Sequence, residues 1–310
     1  MKREQSWSGA RFLVWTFLGL LVASELTAAT TAPLKVTVTV GMVADLVRQV
    51  GGDEVVVTAL MGPGVDPHMY KATASDLIKL QRAEVIFYSG LHLEGKMQGL
   101  FEKMAVAGRP VRAATDGVDK ARLLKPSTFE GQYDPHVWFD TALWSGCIQT
   151  IQTVLTEARP AAAPVFSRQA EVARERLEGL DRWVKMKADQ VDRTRRILVT
   201  SHDAFNYFGR AYGFKVVALQ GVSTVTEAGL ADVTQLVDFI RTQKVPAIFV
   251  ESSVPHGTIE RISRDAGVRI GGELFSDALG TPGKFHQGFD LGTYEGMVHR
   301  NVDLIVEALK

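Results

Sequence analysis

One cysteine in 310 residues, Cys147, leaves no partner for an intramolecular disulfide and rules out a Cys-rich zinc site. It falls in a run that reads as helix, A-L-W-S-G-C-I-Q-T-I (142–151), where a small buried hydrophobe is expected. Charge of one sign is missing too: 35 Lys and Arg balance 35 Asp and Glu, without the basic surplus of a nucleic-acid binder. No nucleic-acid partner is expected. No block of six like charges and no low-complexity tract interrupts the chain. Nor does the sequence carry the H-E-x-x-H pattern of a zinc protease helix. The N-terminal apolar stretch, Phe12–Ala23, has twelve residues, short of the roughly 20 that span a bilayer.

That short stretch follows Lys2, Arg3 and Arg11 and leads to the small residues T-A-A-T at 27–30. The pattern predicts a secretory leader over 1–29, cleaved on export, and hence a periplasmic protein. With no cysteine near the cleavage site, the mature N-terminus is expected to be free of lipid and the protein soluble.

The remaining chain is 46% hydrophobic over its full length and long enough for two ordinary α/β domains. Strand-like runs at 34–41, 55–60 and 84–90 alternate with helical patterns ending near Val50, Ala83 and Met104. The same alternation returns at 196–202, 215–221, 247–252 and 268–275. It predicts an α/β fold, two lobes each with a mostly parallel sheet flanked by helices. Between them, Phe166, Ala170, Ala173, Leu177, Leu180, Val184 and Val191 recur at steps of three, four and seven, with Lys187 interrupting the stripe. Pro160 and Pro164 suit the first turn. A helix from about 162 to 192 would be a rod of roughly 45 Å at 1.5 Å per residue. The predicted division is a first lobe over 30–160, a connecting helix over 161–193 and a second lobe over 194–310.

Seven histidines are present, and two of them follow Asp-Pro: His68 in G-V-D-P-H-M-Y and His136 in Y-D-P-H-V-W-F-D. Proline fixes its own φ and holds the residue before it extended, so each histidine leaves a stiff, non-helical turn. His202 ends the strand R-I-L-V-T-S-H, and Asp277 follows the strand that ends E-L-F-S-D. Ligands of parallel sheets gather outside the carboxyl ends of the strands. Three imidazoles and one carboxylate, two from each lobe, make a four-coordinate site for a divalent metal. Taken singly, each histidine could equally be a solvated loop residue and Asp277 a turn cap. Asp66 and Asp134, two residues before their histidines, suit orientation of the loop or acceptance of the imidazole's other N–H. Glu251 and His92 are further supporting candidates. His256 is expected to help a turn, and His286 and His299 to lie on the surface.

The chain resembles the metal-binding receptors of ATP-driven bacterial zinc and manganese importers, the TroA-like or cluster A-I solute-binding proteins. The likeness rests on G-V-D-P-H-M-Y-K-A-T-A-S-D, Y-S-G-L-H-L-E, Y-D-P-H-V-W-F-D, T-S-H-D-A-F-N-Y-F-G-R-A-Y-G-F, L-Q-G-V-S-T-V-T-E-A, I-F-V-E-S-S and G-G-E-L-F-S-D-A-L-G. These run through essentially the whole mature chain. The resemblance implies that His68, His136, His202 and Asp277 are the ligands and that one long helix joins the lobes. It also implies only small lobe motion and a membrane permease of an ABC importer as partner. A monomer is the simpler form for such a shuttle. Many zinc-binding relatives carry a His-rich loop between the first two ligands, and residues 105–133 here have no histidine. Many manganese-specific relatives have glutamate where this chain has His202.

Imidazole-rich sites favour Zn²⁺ over Mn²⁺ on intrinsic affinity, so Zn²⁺ is the expected cargo and Mn²⁺ the second. The competing classes are a secreted metal-dependent hydrolase and a metal-dependent adhesin. A hydrolase needs an open water position on its metal, which four protein ligands would close. No enzyme activity is expected.

Overall fold

A computed structural model describes Met1, residues 32–127, Phe129 and residues 131–310. The expected leader and its cleavage region at 27–30 lie outside the described residues, apart from Met1. Among the described residues no helix is long and apolar enough to cross a membrane.

β-branched runs ending in glycine or polar loops become parallel strands, as their composition requires. The first set runs β1 (Leu34–Val38), α1 (Gly41–Gly51), β2 (Val55–Ala59), α2 (Ala74–Arg82), β3 (Val85–Tyr88), α3 (Gln98–Val106) and β4 (Val111–Ala113). These strands form one sheet in the order β2-β1-β3-β4. β1 is central, with Val36 in register with Val57 on one side and Val85 on the other, all pairs parallel. The strand β4 has no counterpart in the predicted pattern. Three residues, V-R-A, are too short for a period-two signal, and only pairing with β3 defines them. Thr73 opens α2 with a capping box. Asp76 N donates to Thr73 Oγ1 at 3.3 Å, and Thr73 N donates to Asp76 Oδ2 at 2.9 Å. Tyr70 O–H also donates to Asp76 Oδ2, at 2.7 Å, so the loop after His68 is tied to the helix start.

Two helices, α4 (Thr141–Trp144) and α5 (Gly146–Ala158), lead to the long helix α6 (Ala163–Ala188). Cys147 is fully buried in α5, as expected. Helix α6 has 26 residues, about 39 Å at 1.5 Å per residue. It stops short of the predicted end because Asp192 caps a separate 3₁₀ turn at 193–195, accepting from Thr194 N at 2.8 Å. Val191 is still buried, but beyond the helix. The predicted apolar stripe from Phe166 to Val184 faces the core against α1 and α5.

The second set runs β5 (Ile197–His202), α7 (Asn206–Tyr212), β6 (Lys215–Gln220), α8 (Leu230–Gln243), β7 (Ala247–Glu251), α9 (Gly257–Ala266) and β8 (Arg269–Leu274). β5 pairs with β6 and β7 with β8, both parallel, and β5 lies beside β7. A short hairpin, β9 (Phe285–His286) and β10 (Phe289–Asp290), precedes the last helix, α10 (Tyr294–Leu309). This fold has α6 as the covalent crossover between the two sets of strands.

Polar contacts fix that crossover. Buried Asp181 on α6 accepts from Thr141 Oγ1 and from Tyr212 O–H, each at 3.2 Å, which ties both sets of elements to the rod. Lys187, which interrupts the apolar stripe, pairs with Asp303 of α10 at 2.5 Å. His299 corrects the expectation of a surface residue. It is buried between the rings of Phe289 and Trp183, with centroids 3.6 and 3.9 Å away. His286 is half-buried beside it and holds Asp303 Oδ2 at 2.9 Å. α10 also packs on α1, where Tyr294 N donates to Asp45 Oδ2 at 3.1 Å.

Phe166 fills the apolar face of α6 with no exposure, so Phe166→Ala should cost about 3–5 kcal/mol of stability in urea unfolding. A loss below about 1 kcal/mol would show that this face collapses around the missing ring.

Candidate metal centre

Each Asp-Pro-His turn is built the same way. The aspartate side chain accepts from the histidine's own backbone N–H: Asp66 Oδ1 from His68 N at 2.8 Å, and Asp134 Oδ1 from His136 N at 2.9 Å. Such Asx turns fix the chain direction through the proline and aim the ring that follows. His202 is the last residue of β5, and Asp277 lies three residues past β8. All four side chains are buried, with exposures of 2, 0, 0 and 1%.

Their donor atoms meet. His136 Nε2 lies 3.3 Å from His68 Nε2 and 3.4 Å from His202 Nε2. Asp277 Oδ1 is 3.3 Å from His136 Nε2, and Oδ2 is 3.3 Å from His202 Nε2. One ligand atom from each of the four residues falls within 4.8 Å of the others. Four ligands arranged tetrahedrally about zinc at about 2.0–2.1 Å stand about 3.3 Å apart, so these edges have the size of a zinc shell. Asp277 Oδ1 is buried with no hydrogen-bond partner among the described residues, which suits an oxygen kept for a cation.

The rings are oriented from behind. His136 Nδ1 donates to Asp134 Oδ1 at 2.8 Å, and His202 Nδ1 to Glu251 Oε2 at 2.5 Å. Each carboxylate thereby turns the Nε2 lone pair inward. Glu251 Oε1 also accepts from His202 N at 2.9 Å. Asp134 Oδ2 accepts from Asn206 Nδ2 at 3.1 Å, and its carbonyl from Tyr207 O–H at 2.9 Å, linking the second Asp-Pro-His turn to α7. Asp66 serves its loop rather than a ring, since its Oδ2 accepts from Thr224 Oγ1 at 2.6 Å. His92 is not brought into the group. It is exposed, on a backbone with φ +65°, and lines a cavity of about 760 Å³ that reaches His68. His256 Nε2 donates to the Glu251 carbonyl at 3.0 Å, at the start of α9.

Burial works against charge on every member, and the neighbours decide the outcome. At His68 burial prevails, with His136 and His202 adding repulsion, and its pKa falls to about 3. At His136 burial is outweighed by Asp134 and then Asp277, which lift the ring to about 9. Glu251 and Asp277 likewise overcome burial at His202 and hold it well above the usual range. Asp277 is buried yet held well below its ordinary range by His202 and His136. The cluster demands positive charge at its centre, and a divalent cation supplies it more compactly than protons do.

Residues 36–308 match the model of the zinc-uptake complex component A periplasmic family, ZnuA. The chain belongs to the ZnuA family. It is 45% identical over 287 residues to the zinc-binding protein TroA of Treponema pallidum (strain Nichols), covering 91% of this chain and 90% of that protein. It is 43% identical over 282 residues to the manganese-binding lipoprotein MntA of Bacillus subtilis (strain 168), covering 89% and 90%. The solved structure of the periplasmic zinc binding protein TroA from Treponema pallidum superposes with a TM-score of 0.85 at 44% identity, covering 89% of this chain and 99% of that one. ZnuA membership fits the α/β fold with its long helix.

The motifs carried more than was read from them. Ser253, in E-S-S, contacts Asp277 and also Ser276, in F-S-D. Trp138 Nε1 donates to the Ser276 carbonyl at 3.0 Å, joining the second Asp-Pro-His turn to the Asp277 loop. Serine beside a ligand was the only cue in the sequence, and serine is common in loops.

Gln in place of Glu251 offers one acceptor oxygen where His202 now uses two. Glu251→Gln should weaken divalent-metal binding about 10–100-fold with unchanged far-ultraviolet circular dichroism. Unaltered affinity would remove Glu251 from the support of His202.

Proposed function

We propose that this chain is a periplasmic receptor that captures one divalent cation with His68, His136, His202 and Asp277 and passes it to the membrane permease of an ABC importer. The observation that carries the reading is the buried set of three Nε2 atoms and one carboxylate, gathered within 4.8 Å with nearest pairs 3.3–3.4 Å apart. Membership of a zinc-uptake family supports transport over the hydrolase and adhesin alternatives.

Zn²⁺ is the cargo we favour and Mn²⁺ the second. A relative at 45% identity is named for zinc and one at 43% for manganese. The imidazole majority tips the balance, because nitrogen ligands hold zinc well above manganese.

Two jaws close the site in this reading, residues 30–160 and 194–310, with 161–193 between them. His68 and His136 belong to the first, His202 and Asp277 to the second. The leader over 1–29 and a mature chain without lipid are part of the same proposal, supported by the sequence's one cysteine being buried in α5. A monomer suits a carrier that must leave its permease after delivery.

Titration of metal-free protein with Zn²⁺ and Mn²⁺ in a calorimeter should give one site with a dissociation constant below micromolar for at least one ion. Weaker binding of both would defeat the receptor reading. Asp277→Ala should weaken binding at least about 100-fold while melting near the wild-type temperature, since it deletes a ligand and little core volume. Unchanged affinity would take Asp277 out of the site.

A further inference from the structure

The end of β7 holds both ligands of the second jaw. Glu251, its last residue, grips His202, and Ser253, two residues on, reaches Asp277 Oδ2 at 3.2 Å. A carboxylate can only accept, so the Ser253 hydroxyl gives its proton to Oδ2. The Ser276 hydroxyl, 2.8 Å from Ser253 Oγ, then completes a chain that runs Ser276 to Ser253 to Asp277. Both serines are buried. Backbone contacts hold the two ends of this chain. Ser252 N donates to Leu274 O at 2.9 Å, and the Ser276 carbonyl is taken by Trp138.

A carboxylate on a single Cβ–Cγ bond turns freely unless something stops it, and its twofold torsion is broad. Here it stands with Oδ1 and Oδ2 each 3.3 Å from a different imidazole nitrogen, His136 and His202. Both oxygens therefore face the centre. The bond from Ser253 uses one lone pair of Oδ2 and leaves the other for a metal, while Oδ1 has only the His136 ring beside it and no hydrogen bond among the described residues. Zinc is satisfied by four ligands and needs one of these oxygens. Manganese takes carboxylate oxygen readily and a larger shell, and gains from both.

We propose that Ser253 is a positioning residue that locks the rotation of Asp277 with both oxygens inward, and so sets how well the site holds Mn²⁺ relative to Zn²⁺. The inference rests on the receptor reading and adds a determinant of its selectivity. Without the hydroxyl the carboxylate rocks about its axis and meets the ion through one oxygen. Zn²⁺ loses little, and Mn²⁺ loses a ligand.

The test compares wild type, Ser253→Ala and Ser276→Ala, all metal-free at the start, by chelator competition with Zn²⁺ and Mn²⁺. In Ser253→Ala the Mn²⁺ dissociation constant should rise about 10-fold or more and that of Zn²⁺ less than about threefold. Ser276→Ala leaves the bond to Oδ2 in place and should keep the wild-type ratio. Co²⁺ offers a readout that a loss of packing would not move. Its visible d–d bands should intensify in Ser253→Ala, as the ion passes from a five-ligand to a tetrahedral shell. Equal losses for both ions, an unchanged Co²⁺ spectrum, or the same ratio shift in both variants would overturn the inference and leave the receptor intact. A wild-type protein that binds neither ion would overturn both.

Discussion

An imidazole's Nε2 lone pair is held towards a metal when something accepts the proton on its other nitrogen. Asp134 and Glu251 meet that requirement for His136 and His202, and both carboxylates are themselves fully buried. Their charge offsets the burial of the two rings, and the rings in turn hold Asp277 ionised away from water. The rest of the architecture can be read as the means of placing these acceptors. Asp134 is held by Asn206 and Tyr207 of α7, and Glu251 sits at the end of a strand whose backbone is already committed to a sheet. His68, which has no carboxylate of this kind among its contacts, is correspondingly the ring that burial keeps neutral.

Rigidity enters at three scales. The Asx turns fix single side chains, the parallel strands fix the loops, and α6 fixes one set of strands relative to the other. Asp181 shows how the last of these is done, with one buried carboxylate taking hydroxyls from Thr141 and Tyr212 on elements far apart in sequence. A preorganised site binds without first ordering its ligands, which is where affinity for a small ion is otherwise lost. It also resists ions of the wrong size, because a packed surround does not deform by tenths of an ångström at little cost.

Much of this was legible in the sequence. Local rules govern the elements whose partners are local: β-branched runs, the three-and-four stripe of α6, proline before two histidines, and a histidine ending a strand. The four candidate ligands stood out because strand ends and Asp-Pro turns announce themselves within a few residues. What escaped depends on partners distant in the chain. β4 is three residues defined by β3 alone. His299 reads as a surface residue until Phe289 and Trp183 close on it from a hairpin and a different helix. Lys187 spoils an apolar stripe until Asp303 is seen across from it. Ser253 and Ser276 lie 23 residues apart and mean little until two strand ends bring them together. The apolar stripe runs past the end of α6 for a related reason, since Val191 stays buried after the helix has stopped.

Helix α10, the last element among the described residues, packs on α1, the first helix among them. On a ribosome or emerging through a pore from its N-terminus, the chain would present His68 and His136 long before Asp277. Helix α1 lacks its α10 neighbour until the final residues appear, so packing around the first set of elements is completed late. A chain that ends before β5 carries His68 and His136 without His202 and Asp277, half of the four-residue group.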